Sequence, residues 1–153
     1  MDKQLNTNPS AEAVWALANA SYPTGSPWQV AQFEEDLNNP LSHYLIKESG
    51  QPAALVAFLS YQQVLDEAEL FNIAVDPTYQ GRGLAKALLR SFFSAVEAAG
   101  GTRIFLEVRA SNLHAQALYL RTGFVIIGRR KNYYQHPEED ALIMEKKVGG
   151  QIK

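Results

Sequence analysis

The sequence predicts a single α/β domain over residues 1–153, built on a mixed sheet with helices on both faces. Three observations carry that expectation. Helical periodicity dominates the N-terminal third, period-two alternation then takes over, and further on amphipathic helical stretches alternate with strand-like runs. The run Glu67–Val75 carries large apolar groups on both of its faces, as a central strand covered on two sides does. The length of 153 residues fits one domain with a real core, and 46% hydrophobic against 20% charged residues is an ordinary globular balance.

Each element has a local cause. Ser10 caps a helix to about Ala20, with Val14, Leu17 and Ala18 on its apolar stripe, and Tyr22-Pro23-Thr24-Gly25 breaks it. Ser26-Pro27-Trp28-Gln29 predicts a restart, with Ser as cap, Pro at the first helical position and Gln three residues after the cap, running to Leu37. Asn38-Asn39-Pro40 ends it. Strands follow at His43–Glu48 and Ala53–Gln62, separated by the turn Ser49-Gly50-Gln51-Pro52. After Asp66, Glu67–Val75 places Glu69, Phe71, Ile73 and Val75 on one face and Leu70, Asn72 and Ala74 on the other. A helix from about Gly83 to Ala99 has Leu84, Leu88, Leu89, Phe92 and Val96 on its stripe, and Gly100-Gly101 stops it. Thr102–Val108 is a strand, Ser111 or Asn112 starts a helix ending near Gly123, and Phe124–Arg129 and Ala141–Lys147 complete the set.

Composition removes several chemistries. There is no cysteine, which excludes disulfides, thiolate metal sites and a cysteinyl acyl-enzyme. His43, His114 and His136 are too scattered to suggest a metal cluster, so no metal is expected. A net charge of −2 gives no general attraction to nucleic acid. No apolar run reaches membrane-spanning length, and Met1–Asn6 has no apolar signal core, so a cytoplasmic location is expected.

The segment with the clearest chemistry is Asp76-Pro77-Thr78-Tyr79-Gln80-Gly81-Arg82-Gly83-Leu84-Ala85, between a strand and an amphipathic helix. Glycine lets backbone approach a phosphate, and the first amides of a helix have no internal partners. Arg82 and Lys86 add positive charge at the same end. Neither a nucleotide-triphosphatase loop nor Gly-x-Gly-x-x-Gly is present. On the glycines alone, a tight strand-to-helix turn accounts for the segment equally well.

Gln80-Gly81-Arg82-Gly83-Leu84-Ala85 resembles the Gln/Arg-x-x-Gly-x-Gly/Ala signature of the GNAT acetyltransferase superfamily. The segments 66–77, 106–112, 130–134 and 139–144 resemble its branch that acetylates the N-terminal alanine of a small-subunit ribosomal protein; the resemblance covers roughly residues 53 to 147. It implies a mostly antiparallel mixed sheet with splayed middle strands. It also implies direct acetyl transfer from acetyl-CoA to an amine. The pyrophosphate then lies on Gln80, Gly81, Arg82, Gly83, Leu84 and Ala85. The backbone of Ile73, Ala74 and Val75 pairs with pantetheine and polarises the thioester carbonyl. Asn112 contacts pantetheine or caps its helix.

The acid and base follow. Glu107 alternates with apolar neighbours in Phe105-Leu106-Glu107-Val108, where partial desolvation suits a carboxylate to act as general base, and the resemblance assigns it that role. The bland reading is a salt bridge to Arg103 or Arg109. Glu69 is a second candidate base. Asn112, Ala115, Gln116 and Tyr119 share a helical stripe, and the resemblance makes Tyr119 the acid that protonates the departing thiolate. Spacing alone favours a core tyrosine there.

The resemblance implies a basic peptide N-terminus as acceptor. Glu34-Glu35-Asp36, Asp66-Glu67 and Glu138-Glu139-Asp140 are acidic runs that would receive it, or ordinary solvated surface. Tyr133 and Tyr134, placed in the loop before the last strand, either wall a peptide groove or form a hairpin aromatic pair. Tyr22 and Trp28 border the same side. Two alternatives stand beside this acceptor: an acetyltransferase of a small amine such as a polyamine or antibiotic, and a coenzyme- or partner-binding module with little turnover.

Overall fold

The computed structural model describes residues 9–149; the N-terminal stretch Met1–Asn6 lies outside them. Its elements are α1 (Ala11–Ser21), α2 (Val30–Leu37), β1 (Ser42–Ser49), β2 (Ala54–Val64), β3 (Glu67–Val75), α3 (Leu84–Ala98), β4 (Arg103–Arg109), α4 (Leu113–Arg121), β5 (Val125–Tyr134) and β6 (Glu139–Lys147). Six strands form one sheet in the order β1-β2-β3-β4-β6-β5, in which β3 and β4 are parallel and the other neighbours antiparallel. The fold class expected from sequence is the one observed. Among the described residues, no helix is long and apolar enough to cross a membrane.

Two apolar layers sandwich the sheet. Leu88, Leu89, Phe92 and Val96 of α3 and Tyr119 of α4 pack on Leu59, Tyr61, Leu70 and Leu106. On the opposite face Val14, Leu17 and Ala18 of α1 and Phe33 of α2 pack on Tyr44, Ile46, Phe58 and Ala74. The helical stripes read from the sequence are therefore the buried ones. Removing large apolar side chains from water, at about 25 cal/mol per Å² of apolar surface, is what holds both layers to the sheet.

Three expectations need correction. Ser26 does not cap α2, and Pro27 is not its first residue. The Ser26 hydroxyl closes a local turn with Trp28, and the helix begins at Val30, where Gln29 caps it and its N–H donates to Gln32 Oε1 at 2.7 Å. The strand expected over Phe124–Arg129 continues to Tyr134, so Tyr133 and Tyr134 lie on β5 rather than in a loop. The simple alternation proposed for β3 also fails.

That failure shapes the site. Opposite β2, Ser60 pairs with Asn72 but Tyr61 pairs with Leu70, which leaves Phe71 as an extra residue in a bulge. Ala68 and Leu70 before the bulge, and Ile73 and Val75 after it, all belong to the α3 layer, whereas Ala74 belongs to the α1/α2 layer. Phe71 packs against Trp28 instead, with ring centroids 5.8 Å apart. Beyond the bulge β3 also leaves its parallel neighbour. Pairing with β4 spans only Glu67–Leu70 against Arg103–Leu106, although β3 runs on to Val75 and β4 to Arg109. The resulting split between the two central strands is the splay expected from sequence.

Candidate active site

A cavity of about 830 Å³ opens where β3 and β4 part. Its walls come from the last turn of α1 and the loop behind it, β3 beyond Leu70, the loop before α3, β4 at Leu106–Arg109, and the start and inner face of α4. Residues from distant parts of the chain meet there because the sheet divides at its centre.

The loop before α3 forms one end of the cavity. Asp76 Oδ1 accepts from Thr78 N–H at 2.9 Å and starts a short turn over Pro77–Tyr79. Gly81 and Gly83 both adopt left-handed backbone, with φ of 82° and 79°. A Cβ at either position would meet nothing within 4 Å, so glycine is required there by the backbone conformation and not by crowding. α3 starts directly after Gly83, and Gln80, Gly81, Gly83, Leu84, Ala85 and Lys86 line the cavity. The helix thus presents its N-terminal amides and positive dipole end to the space, a suitable seat for an anion. Arg82 does not line the cavity. Its guanidinium lies over the Tyr79 ring at 4.6 Å. Gln80 Nε2 donates to Val75 O at 3.4 Å, tying the loop to β3.

Ile73, Ala74 and Val75 all line the cavity. Their amides are not bare: Ile73 N–H donates to the Tyr22 hydroxyl at 3.0 Å, and Val75 N–H donates to the Ser21 hydroxyl at 3.3 Å. No sequence signal pointed to Ser21, and Tyr22 was expected only on the acceptor side.

Glu107 faces the cavity from β4, at the point where pairing with β3 has ended. Its partner is Arg130 on β5, at 3.3 Å, and not Arg103 or Arg109. Arg103 pairs with Glu145 and Glu67, and Arg109 with Glu139. Tyr133 is also close to Glu107, whose carboxylate, after burial, raises the Tyr133 phenol above its ordinary pKa. Glu69 stands off the main cavity and lines a smaller depression with Phe105 and Glu67. Burial and the nearby Glu107 charge raise its pKa above the usual carboxylate range, while Arg130 opposes the shift.

Tyr119 enters from the other layer. Asn112 Oδ1 caps α4 by accepting from Ala115 N–H at 3.1 Å. Gln116 Nε2 donates to the carbonyls of Arg109 and Ala110, both at 3.0 Å, and locks the helix to the end of β4. Tyr119, one turn further on, is buried against Phe124 with ring centroids 5.6 Å apart. Asn112 and Tyr119 both line the cavity. Burial drives the Tyr119 phenol far above its ordinary pKa, so it stays protonated and is able to donate.

The two tyrosines of β5 separate. Tyr134 lines the cavity with the Arg109 guanidinium 4.4 Å over its ring, while Tyr133 packs edge-on to it and carries the Arg130 guanidinium 5.2 Å over its own ring. The acidic runs are largely committed to internal partners. Asp36 is buried beneath Tyr44, Ser42 and Gln62 and accepts from all three. Glu139 serves Ser111 and Arg109, and Asp140 serves Arg129 and Asn132. Glu67 pairs with Arg103, away from the main cavity. None of the three runs forms a continuous acidic wall there.

Comparison with known proteins gives a consistent result. The model of the acetyltransferase (GNAT) family matches residues 11–124. A [Ribosomal protein bS18]-alanine N-acetyltransferase of Haemophilus ducreyi is 43% identical over 121 residues, covering 77% of this chain and 81% of that one. An N-alpha-acetyltransferase RimI of Mycobacterium tuberculosis is 37% identical, covering 80% and 77%. The crystal structure of the ribosomal-protein-S18-alanine N-acetyltransferase from Escherichia coli superposes with a TM-score of 0.85 at 34% identity, covering 100% of this chain and 96% of that one.

Proposed function

Because the chain belongs to the GNAT acetyltransferase family and is an acetyl-transferring enzyme, we propose that it moves acetyl from acetyl-CoA to the N-terminal α-amino group of a protein, with the N-terminal alanine of a small-subunit ribosomal protein as acceptor. The observation that carries the mechanism is the split between β3 and β4, which sets Glu107 and Tyr119 on the walls of one cavity. The names of the curated relatives support the choice of acceptor.

In this reading the pyrophosphate rests on Gln80–Ala85 and the start of α3, with Lys86 as its nearby cation. Arg82 swings off Tyr79 or serves only the loop's own shape. The pantetheine arm runs along Ile73, Ala74 and Val75 in the manner of an added strand. Asn112, already spent on capping α4, flanks the arm without having to hold it. The amine attacks from the side of Glu107, Tyr134 and Tyr22. A peptide α-amino group has a pKa of about 8, so about a tenth is already neutral at pH 7 and a single carboxylate suffices as base. Attack forms the C–N bond and puts negative charge on the former carbonyl oxygen, which a β3 amide stabilises. Collapse breaks the C–S bond. The amine proton goes to Glu107, and the thiolate takes one from Tyr119. Glu69, outside the cavity, bears on the charge around Glu107 and Arg130 and is not needed as the base.

The experiment is a competition between acceptor classes. The protein is incubated with acetyl-CoA and an alanine-initial basic peptide, and separately with a polyamine and an aminoglycoside, and products are read by mass. The expected result is acetylation of the peptide α-amine. Turnover confined to the small amines would sink this acceptor assignment while leaving the coenzyme assignment intact.

A further inference from the structure

The last turn of α1 reaches into the segment of β3 that acetyl transfer uses. β3 beyond Leu70 has β2 on one side and has parted from β4 on the other. On that parted side the Ile73 and Val75 amides find their partners in side chains from far along the chain, Tyr22 Oη at 3.0 Å and Ser21 Oγ at 3.3 Å. Ser21 ends α1 and Tyr22 is its C-cap in extended backbone, followed by a turn in which Gly25 has φ of 80°. Tyr22 therefore belongs to the turn more than to the helix.

We propose that Ser21 and Tyr22 are placeholders for the coenzyme, their hydroxyls holding the Ile73 and Val75 amides until the thioester and pantetheine displace them. This rests on the assignment of those two amides to the coenzyme made above. Each amide has one proton, so a hydroxyl and the coenzyme cannot both hold it at full strength. An amide left without a partner inside a cleft is costly, which gives the strand a reason to carry a substitute. The substitute is neutral: burial pushes the Tyr22 phenol up to about 12, so it remains an uncharged hydroxyl at working pH. Tyr22 lines the same cavity as Tyr119 and Tyr134. Displacing Tyr22 redraws the wall that the acceptor meets, and by linkage any factor by which coenzyme changes acceptor affinity is the factor by which acceptor changes coenzyme affinity.

The test is calorimetric titration of coenzyme A and acetyl-CoA into the wild-type protein and into Tyr22→Phe and Ser21→Ala, with amide hydrogen exchange followed at Ile73 and Val75. Removing a hydroxyl strips an amide of its partner before binding and leaves the bound complex unchanged. Tyr22→Phe is expected to bind coenzyme roughly 5- to 30-fold more tightly and to exchange faster at Ile73 before coenzyme is added. Ser21→Ala should do the same at Val75 by a smaller factor, and it keeps the test open if Tyr22→Phe is poorly folded. Equal or weaker coenzyme binding by both variants overturns the proposal. Failure of the underlying assignment reads differently: coenzyme then binds the wild type without slowing exchange at Ile73 or Val75.

Discussion

The Arg130 guanidinium on β5 lies 3.3 Å from the Glu107 carboxylate on β4, reaching across β6, which separates the two strands. The pair is only partly shielded, with Glu107 at 19% side-chain exposure and Arg130 at 57%. An ion pair this open contributes little to stability and exchanges readily with solvent or an incoming amine. Glu107 is therefore held in place at the cavity without being locked away from it.

Glu107→Gln keeps the shape of the side chain and removes its ability to take a proton. The expected outcome is a kcat lower by about 10²–10⁴-fold with acetyl-CoA affinity unchanged. Steady-state kinetics together with a coenzyme titration checks both halves. A variant of near wild-type kcat would reduce Glu107 to a partner for Arg130.

Tyr119→Phe removes one hydroxyl and leaves the packing on Phe124 in place. As the acid for the thiolate, Tyr119 is expected to account for about 10²-fold in kcat. Because burial pushes this phenol upward, the wild-type rate should show no falling limb from Tyr119 up to about pH 10, and the deficit of the variant should be the same at pH 7 and pH 9. A kcat–pH profile of both proteins decides it. Unchanged kcat would make this a core tyrosine after all.

Gly83→Ala tests the loop before α3. The backbone there has φ of 79° while the space around a Cβ is empty, so the cost is conformational, about 1–2 kcal/mol. That corresponds to a Tm lower by roughly 2–8 °C in a domain of this size. If the loop seats the pyrophosphate, coenzyme affinity falls by more than the stability loss explains. Equal affinity in the folded variant would return the segment to a plain turn.

Glu139 binds the Ser111 N–H and the Arg109 guanidinium, joining the start of β6 to the loop before α4, and these contacts hold its pKa below the usual carboxylate range. A depressed carboxylate stabilises the fold above its unfolded pKa of about 4.3, and that contribution is lost as pH falls through the lower folded value. Glu139→Gln should therefore have a lower Tm than wild type at neutral pH, with the gap closing on acidification. Thermal melts across that range are the measurement; a gap independent of pH would show that charge plays no part.

The fold was legible in the sequence because its signals are local. The stripe Leu88, Leu89, Phe92 and Val96, the Gly100-Gly101 stop and the Ser10 cap each declare themselves within a few residues, and each is found in place. Where two local signals competed, reading went astray. Ser26-Pro27 looks like a helix start, but Gln29 and Gln32 close a better box three residues later. The bulge at Phe71 left no mark, because it is a mismatch in register with β2 and not a property of β3 alone.

By itself the sequence determined the mixed sheet, the glycine turn ahead of α3 and a half-desolvated carboxylate at Glu107, since each follows from residue type and short-range spacing; Tyr119 as the acid came from the family resemblance, because spacing alone favoured a core tyrosine. Only the tertiary structure decided their surroundings. The parting of β3 from β4 made one cavity out of segments from α1 to β5 and laid Tyr22 and Ser21 on β3, while packing elsewhere gave Glu107 to Arg130 instead of its neighbours Arg103 and Arg109 and spent Asp36, Glu67, Glu139 and Asp140 on internal bonds. The Glu107–Arg130, Tyr22–Ile73 and Ser21–Val75 partnerships join residues 23 to 54 positions apart, where spacing along the chain carries no information and packing alone selects the neighbour.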